Sequence, residues 1–306
     1  MFDAGRPPAP LMSNPRADRV KETAKLAGRP ARLKTGRFLA EGPQAVREAL
    51  AAHHSATGAG RPGVVLEVFA TPACLERLPE LAELAHGLPL RLATDEVLAA
   101  MADTVTPQGI VAVCRILSPT LQDILALRPK LLAVMCEVRD PGNAGTILRA
   151  ADSAGADAVV LTAASVDIHN PKAVRSTAGS LFHLPVVSGV EFEELAAALH
   201  DAGITILAAD GYGDQNLDEL QDASALRRLS PDSVTGAGET AGRNSAPRLE
   251  DPSAWLFGNE AQGLSAAQLD ASDHRVAVPV YGEAESLNVG TAATVCLYAS
   301  ARAQNR

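Results

Sequence analysis

Apolar strands and amphipathic helices alternate along most of this chain, which predicts an α/β protein organised as two modules. Three observations carry that expectation. The run Leu131 to Val138 is apolar without regular alternation, as expected for a strand covered on both faces. A helical stretch to Gly155 and a second strand, Ala156 to Thr162, complete a βαβ unit and hence a parallel sheet. The length of 306 residues is enough for two domains, each with its own core.

Taken in order, residues 1–13 are rich in proline and small side chains and read as a frayed tail. Residues 14–34 read as a basic helix or helix pair broken around Gly28 to Pro30. A strand from Arg37 turns at Gly42-Pro43 into an amphipathic helix reaching Leu50, and His53 and His54 follow in a loop-like stretch. Strands at Val64–Ala70, Leu88–Leu92 and Ile110–Arg115 then alternate with helices at Pro72–Ala85 and Thr94–Met101. These elements define a first module over 14–118 and a second over 119–306, with Leu121 to Pro129 as the connection.

In the second module Asp140-Pro-Gly-Asn143 turns the chain into a helix whose buried stripe is Ile147, Leu148, Ala151 and Ala154, with Arg149 off the stripe. Asn143 is a candidate N-cap of that helix. Asn170-Pro171 opens another helix by cap and first-turn proline. A strand at Leu184–Val187, a helix at Phe192–Ala202 and a strand at Ile204–Ala209 follow. The last of these ends at Asp210-Gly-Tyr-Gly213, which lacks the third glycine of a dinucleotide-binding fingerprint. Periodicity is lost over 222–253, which reads as an exposed insertion. Structure resumes as a strand at Ala254–Gly258 and a short helix after Gly263. The final segment is a strand, Val276 to Val280, interrupted by Pro279, then a polar turn to Ser286 and a helix from Leu287. Gly290, Ala292 and Ala293 are small, so backbone or ligand can come close there.

Composition narrows the function. Hydrophobic residues make up 47% and charged residues 21%, as in an ordinary soluble globular protein. Aromatics are 3%, too few for broad stacking platforms, and the net charge of −9 argues against a generally basic nucleic-acid coat. The charge is uneven, however. Arg16, Arg19, Lys21, Lys25, Arg29, Arg32, Lys34 and Arg37 face only Asp18 and Glu22 in their stretch, either a solvated helix face or a phosphate-binding stripe. Cys74, Cys114, Cys136 and Cys296 are scattered without metal-ligand spacing, so no metal is expected. No signal peptide or spanning run is evident, and the expectation is a cytoplasmic protein that does not engage a membrane.

Three stretches in the second module, in order, resemble the three signatures of the SpoU (TrmH) family of RNA 2′-O-ribose methyltransferases. They are Asn143-Ala-Gly-Thr-Ile-Leu-Arg149 with its continuation to Gly155, Leu256-Phe-Gly-Asn-Glu260-Ala-Gln-Gly-Leu264, and Pro279-Val280 with Gly282 and Ser286-Leu287-Asn288-Val289. One departure is Gly290, where the family usually has serine. The first module is similar to the ribosomal-protein-like substrate-recognition domain of part of this family, on Phe38-Leu-Ala-Glu-Gly42 and Thr106-Pro-Gln-Gly-Ile-Val-Ala-Val113.

The resemblance implies a SPOUT fold, mostly parallel and trefoil-knotted, a homodimer, and transfer of a methyl group from S-adenosylmethionine to a ribose 2′-hydroxyl in structured RNA, ribosomal rather than transfer RNA. It assigns Arg149, Asn143, Glu260, Ser286 and Asn288 to catalysis. The matching arginine is a proposed general base in the family. A guanidinium is a difficult base, and the alternative is that Arg149 grips phosphate and hydroxyl while water or backbone takes the proton. Gly258, Val278, Val280 and Leu287, with Ala209 and Gly211, would hold the cofactor, largely through backbone groups. Arg175, Arg32, Lys34 and Arg37 are the candidate RNA contacts. A binding module that has lost catalysis is the rival reading; it would be favoured by loss of Arg149 or of Ser286-Leu287-Asn288, and all are present.

Overall fold

A computed structural model describes residues 10–229 and 246–306. The chain divides into two compact units. One runs to Leu117 and includes Asp167–His183; the other comprises Ser118–Val166 and Leu184–Arg306.

The first unit contains α1 (Asp18–Ala24), a 3-10 turn (Lys25–Ala27), α2 (Arg29–Thr35), β1 (Arg37–Glu41), α3 (Pro43–Gly58), β2 (Val65–Ala70), α4 (Pro72–Arg77), α5 (Pro79–Leu84), β3 (Leu90–Leu92), α6 (Asp95–Met101) and β4 (Ile110–Arg115). Its sheet has the order β1-β4-β2-β3, with β4 antiparallel to both neighbours. Leu39, Phe69, Val111 and Val113 pack with Val20, Leu26, Val97 and Leu98 on one face of it. Pro79 splits the helix expected over 72–85, because proline cannot donate within a helix and bars the residue before it from helical geometry. His53 and His54 lie inside α3 rather than in a loop, and His53 Nδ1 accepts the Val65 N–H at 3.1 Å. The tail is tied down from Met12, which exchanges backbone hydrogen bonds with Leu92 and Thr94 at 2.9 and 3.0 Å.

The rest of the chain supplies α7 (Leu121–Ala126), β5 (Leu131–Met135), α8 (Pro141–Ala154), β6 (Ala158–Thr162), α9 (Pro171–Ser176), β7 (Val186–Val190), α10 (Phe192–Asp201), β8 (Thr205–Ala209), β9 (Gln215–Asn216), α11 (Leu217–Leu229), β10 (Ser253–Phe257), α12 (Ala266–Asp270), β11 (His274–Ala277) and α13 (Val289–Gln304). All but α9 belong to the second unit. Its sheet has the order β7-β6-β5-β10-β8-β11-β9, every pairing parallel. Trp255 of β10 is fully buried and donates from Nε1 to Ser300 Oγ at 2.9 Å, which anchors α13 on the sheet. Tyr298 Oη donates to the Ser153 carbonyl at 3.2 Å, joining α13 to α8.

Three expectations change in this unit. Residues 121–126 form α7, opened by a capping box between Thr120 and Asp123, rather than a plain connection. Helix α11 continues to Leu229, so the non-periodic stretch starts later than Asp222; its part at 230–245 lies outside the described residues. Strand β11 stops at Ala277 instead of Val280, since Pro279 brings no N–H to a ladder.

The segment 167–183, read from the sequence as part of the second module, belongs to the first unit, and its contacts there say why. Arg32 is 2% exposed and donates from Nε and Nη2 to Asp167 Oδ2 at 2.9 and 2.8 Å. Arg175 reaches Glu41 at 2.9 Å and Asp103 at 3.0 Å, and Phe38 packs against the rings of His169 and Phe182.

Candidate active site

The three resembling stretches converge in the second unit through one chain of amides. Helix α8 begins at Pro141, whose missing N–H is harmless at the first helical position, so the cap falls one residue earlier, on Asp140. Asn143 is therefore not the N-cap; it is the third helical residue, and its backbone N–H donates to Asp140 Oδ1 at 2.9 Å. That frees its side chain. Asn143 Nδ2 donates to Glu260 Oε1 at 3.2 Å, and Asn143 Oδ1 accepts from Asn288 Nδ2 at 3.0 Å. Asn288 caps α13, its Oδ1 accepting the Gly290 N–H at 2.9 Å. Both ends fix the sense of this chain. A backbone N–H can only donate and an ionised carboxylate can only accept, so neither amide can be turned over without losing a bond. Glu260 Oε1 also accepts the Asp140 N–H at 3.3 Å.

Asn259 was missed as a site-building residue. Its Nδ2 donates to the Glu137 carbonyl at 3.0 Å, and its Oδ1 accepts from Ala261 N–H at 2.9 Å, shaping the loop that presents Glu260. Gly258 makes that loop possible: a Cβ there would lie 2.4 Å from the Gly263 backbone carbon. Asn259 follows a strand and a glycine, a turn signal the sequence offers but whose use it does not reveal.

The candidate cofactor residues gather at the carboxyl ends of adjacent parallel strands, where open α/β sheets bind ligands. Ala209 ends β8, Gly258 follows β10, and Val278 and Val280 follow β11. Gly211 looks into open space, whereas Gly213 is pressed on the Arg275 backbone, held there while Asp210 grips the Arg275 guanidinium at 2.6 Å. From Val278 to Leu287 the backbone makes no hydrogen bond among the described residues, and Val280 and Leu287 are exposed. Unused backbone donors and acceptors beside apolar side chains fit the adenosine part of S-adenosylmethionine. Tyr281, on the same turn, donates its hydroxyl to Asp218, which holds the phenol proton and raises its pKa.

Arg149 and Ser286 are not drawn into the amide chain. Six residues beyond Asn143 on α8, Arg149 is turned roughly 120° from it and faces outward. It forms no hydrogen bond or ion pair among the described residues, including with Asp152. Thr146 and Ser153 share that exposed face of α8, and Val295 and Tyr298 are the large exposed apolar residues on the neighbouring α13. Ser286 is exposed in the turn before α13.

In the first unit the four candidate RNA contacts separate into two kinds. Arg32 is buried, and its Nη1 also donates to the Leu26 and Ala27 carbonyls at 2.8 and 2.6 Å. With its donors already engaged it is not placed to meet a phosphate, which corrects the expectation. Arg175 is likewise spent on Glu41 and Asp103. Lys34 and Arg37 are exposed and without an ion pair among the described residues. The partners of Arg32 and Arg175 come from distant stretches, so spacing gave no sign of them. Elsewhere, all four cysteines are buried, and burial pushes the Cys136 thiol up to about 12. No helix among the described residues is long and apolar enough to cross a membrane.

Comparison with known proteins agrees with this geometry. The SpoU rRNA Methylase family matches residues 130–298, and the MRM3-like substrate binding domain matches residues 17–112. The chain is 35% identical to RlmP of Bacillus subtilis, a 23S rRNA guanosine 2′-O-methyltransferase, over 92% of this chain and 94% of that one. It is 28% identical to human mitochondrial rRNA methyltransferase 3, over 90% of this chain and 69% of that one. The structure of the SpoU methyltransferase AviRb of Streptomyces viridochromogenes in complex with AdoMet superposes with a TM-score of 0.72 at 26% identity, covering 94% of this chain and 98% of that one. The fold is that of the SPOUT methyltransferases, and the chain is an S-adenosylmethionine-dependent RNA 2′-O-methyltransferase belonging to the SpoU rRNA methylase family.

Proposed function

We propose that this enzyme methylates the 2′-hydroxyl of one nucleotide in 23S rRNA, as a homodimer in which Arg149 of one copy completes the amide-lined site of the other. The observation that carries the reading is the chain Asn288–Asn143–Glu260, which ties all three signature stretches into one polar edge. The relatives support the RNA class, RlmP by its identity over nearly the whole length. They differ in the base they act on, guanosine for RlmP and uridine for the methyltransferase of Streptomyces viridochromogenes, so the base is not inherited from them.

When bound, S-adenosylmethionine supplies a methyl group already activated on a sulfonium, which leaves the protein to supply position and proton handling. Gly258, Val278, Val280 and Leu287, with Ala209 and Gly211, hold it through backbone groups. Glu260 orients Asn143, which orients Asn288, so the edge facing the ribose is rigid before RNA arrives. Ser286 offers a hydroxyl from the adjoining turn. Arg149 binds the target phosphate and stabilises negative charge as it develops on the 2′-oxygen, while water accepts the proton. Its separation from the amides of its own chain, beside exposed Val295 and Tyr298, is the reason for assigning it to a partner copy.

The test supplies labelled S-adenosylmethionine with unmodified 23S rRNA, 16S rRNA or transfer RNA transcripts. Label in the 23S transcript that survives alkaline hydrolysis in a single dinucleotide is the expected outcome. Label in 16S or transfer RNA instead would reassign the substrate, and alkali-sensitive label would overturn ribose methylation.

A further inference from the structure

We infer that one end of the first unit's sheet carries an RNA-backbone clamp made by Arg37, Arg115, Arg91 and Arg19. The inference rests on the assignment of RNA as substrate and adds where the phosphates lie. Arg37 opens β1 and Arg115 closes β4, and the two are direct partners across the antiparallel ladder. The ladder bonds on either side, Ile116 N–H to Gly36 and Gly42 N–H to Ile110, fall on alternate pairs. The Arg115 N–H turns away to the Val64 carbonyl at 2.8 Å. Arg37 and Arg115 therefore occupy a non-hydrogen-bonded pair, the kind in which side chains stand closest. Two like charges in that position are destabilising unless an anion lies between them. Neither has an ion pair among the described residues, and both are exposed.

The same face continues across the sheet. Glu67 of β2 stands opposite Val113, two residues from Arg115, and Arg91 of β3 stands opposite Phe69. Arg19 donates to both oxygens of Glu67 at 2.7 and 2.9 Å, and Arg91 donates to the same carboxylate. Both arginines stay 49% and 41% exposed. Arg37, Arg115, Glu67 and Arg91 thus form a diagonal row, one from each strand, that steps two residues along the strands at Glu67 and two more at Arg91, roughly 20 Å from end to end. Of the four guanidiniums only Arg19 and Arg91 meet a carboxylate, the same one, on a protein whose net charge is −9. The nearest acids on α1, Asp18 and Glu22, already face Lys21 and Lys25.

The chemistry favours phosphodiesters over an acidic protein. Leu39, Phe69, Val111 and Val113, apolar residues of this face, are buried, so the row has no exposed apolar centre of the kind protein interfaces are built on. Guanidiniums match phosphate oxygens in a planar fork, and a row of this length suits successive phosphates of one strand better than a single ion.

The test compares the full chain with Arg37→Gln/Arg115→Gln and with Glu67→Gln, using the 23S rRNA transcript. Filter binding without cofactor is followed from 50 to 200 mM salt. The double variant is expected to bind RNA about tenfold more weakly or worse, with the slope of log affinity against log salt reduced by about 1 to 2. Its melting temperature should hold or rise, since a like-charge pair is removed, which separates lost binding from lost folding. Glu67→Gln should move binding the other way, because it frees two arginines. Unchanged RNA affinity and salt slope in the double variant would overturn the inference. So would selective loss of polyglutamate binding with RNA binding kept, which would point to an acidic protein. Methyl transfer by the wild type, read separately, judges the activity, so either conclusion can fail alone.

Discussion

The two polar centres of this molecule are both assembled from residues far apart in sequence, yet they treat charge in opposite ways. In the first unit Arg32 and Asp167 are a full ion pair, 2% and 18% exposed. Burial by itself would raise the Asp167 pKa, but hydrogen bonds from His169 and Arg32, with the charge of Arg32, outweigh it and hold the carboxyl well below its usual range. In the second unit Asn288 and Asn143 are neutral amides that pass one hydrogen-bond direction to a single exposed carboxylate, Glu260. Removing one ion from a buried pair leaves the other unpaired in low dielectric, so the first centre governs folding. Loosening an amide chain at an open edge costs little stability but misplaces reacting groups, so the second governs rate.

The largest effect should come from Arg149, which neither centre holds. Arg149→Ala is expected to lower kcat by about 10²- to 10³-fold or more with S-adenosylmethionine affinity preserved, read by single-turnover methylation and calorimetry. Mixing it with Asn288→Ala breaks or sharpens the partner assignment. If Arg149 serves the partner's site, a mixed dimer retains one complete site, and equal mixing restores about a quarter of wild-type activity. If it serves its own chain, mixing restores nothing. Asn143→Ala and Asn288→Ala should each cost about 10²-fold in kcat, and the double variant little more, because the amides act as a unit.

Arg32→Ala should lower stability by about 3–5 kcal/mol, measured by denaturant unfolding, since Asp167 is left with half of its partners. The pH dependence carries a definite sign. The folded-state pKa of Asp167 is depressed below its ordinary value of 3.8, so its contribution is complete above that value and is lost as pH falls through the folded-state pKa. The stability gap between wild type and Asp167→Asn should therefore be constant near neutrality and shrink only below about pH 4. A gap that widened as pH fell from about 7 to 5 would show that protonation of a neighbouring histidine, not the aspartate's own titration, sets it.

Much of this was legible in the sequence, for reasons that local physics explains. The unalternating run at Leu131, the stripe Ile147-Leu148-Ala151-Ala154 and the small residues after Asn288 read correctly because burial on one face leaves a period in the sequence. Thr120 and Asp123 mark the start of α7 by capping-box spacing. Asp140 before Pro141 likewise announced the true cap, which releases Asn143 for the site. What spacing could not show is which arginines find carboxylates. Arg32 and Arg175 look like Lys34 and Arg37 in sequence and differ only because Asp167, Glu41 and Asp103 arrive from elsewhere in the chain.

The smallest effect expected is at Gly290, the one departure from the family's usual residue, and it tests how firmly the amide chain is seated. A Cβ added there would sit 2.7 Å from Thr146 Cγ2 and 3.2 Å from Asn288 Oδ1. Thr146 is stiff about its first side-chain torsion, and its hydroxyl donates to the Gly142 carbonyl at 2.9 Å, so its methyl cannot swing away freely. Thr146 thus occupies the space into which a serine at 290 would project, and glycine is the residue that keeps α8 and α13 in contact. Gly290→Ser should cost about 1–3 kcal/mol in thermal unfolding. Thr146→Ala should recover most of that loss in the double variant, because the two residues share one contact and their effects are coupled. A rate loss in Gly290→Ser that Thr146→Ala also reverses would tie the packing of the two helices to the placement of Asn288. If Gly290→Ser changed neither melting temperature nor rate, the contact between the helices would be soft and the amide chain would owe its geometry to Glu260 alone.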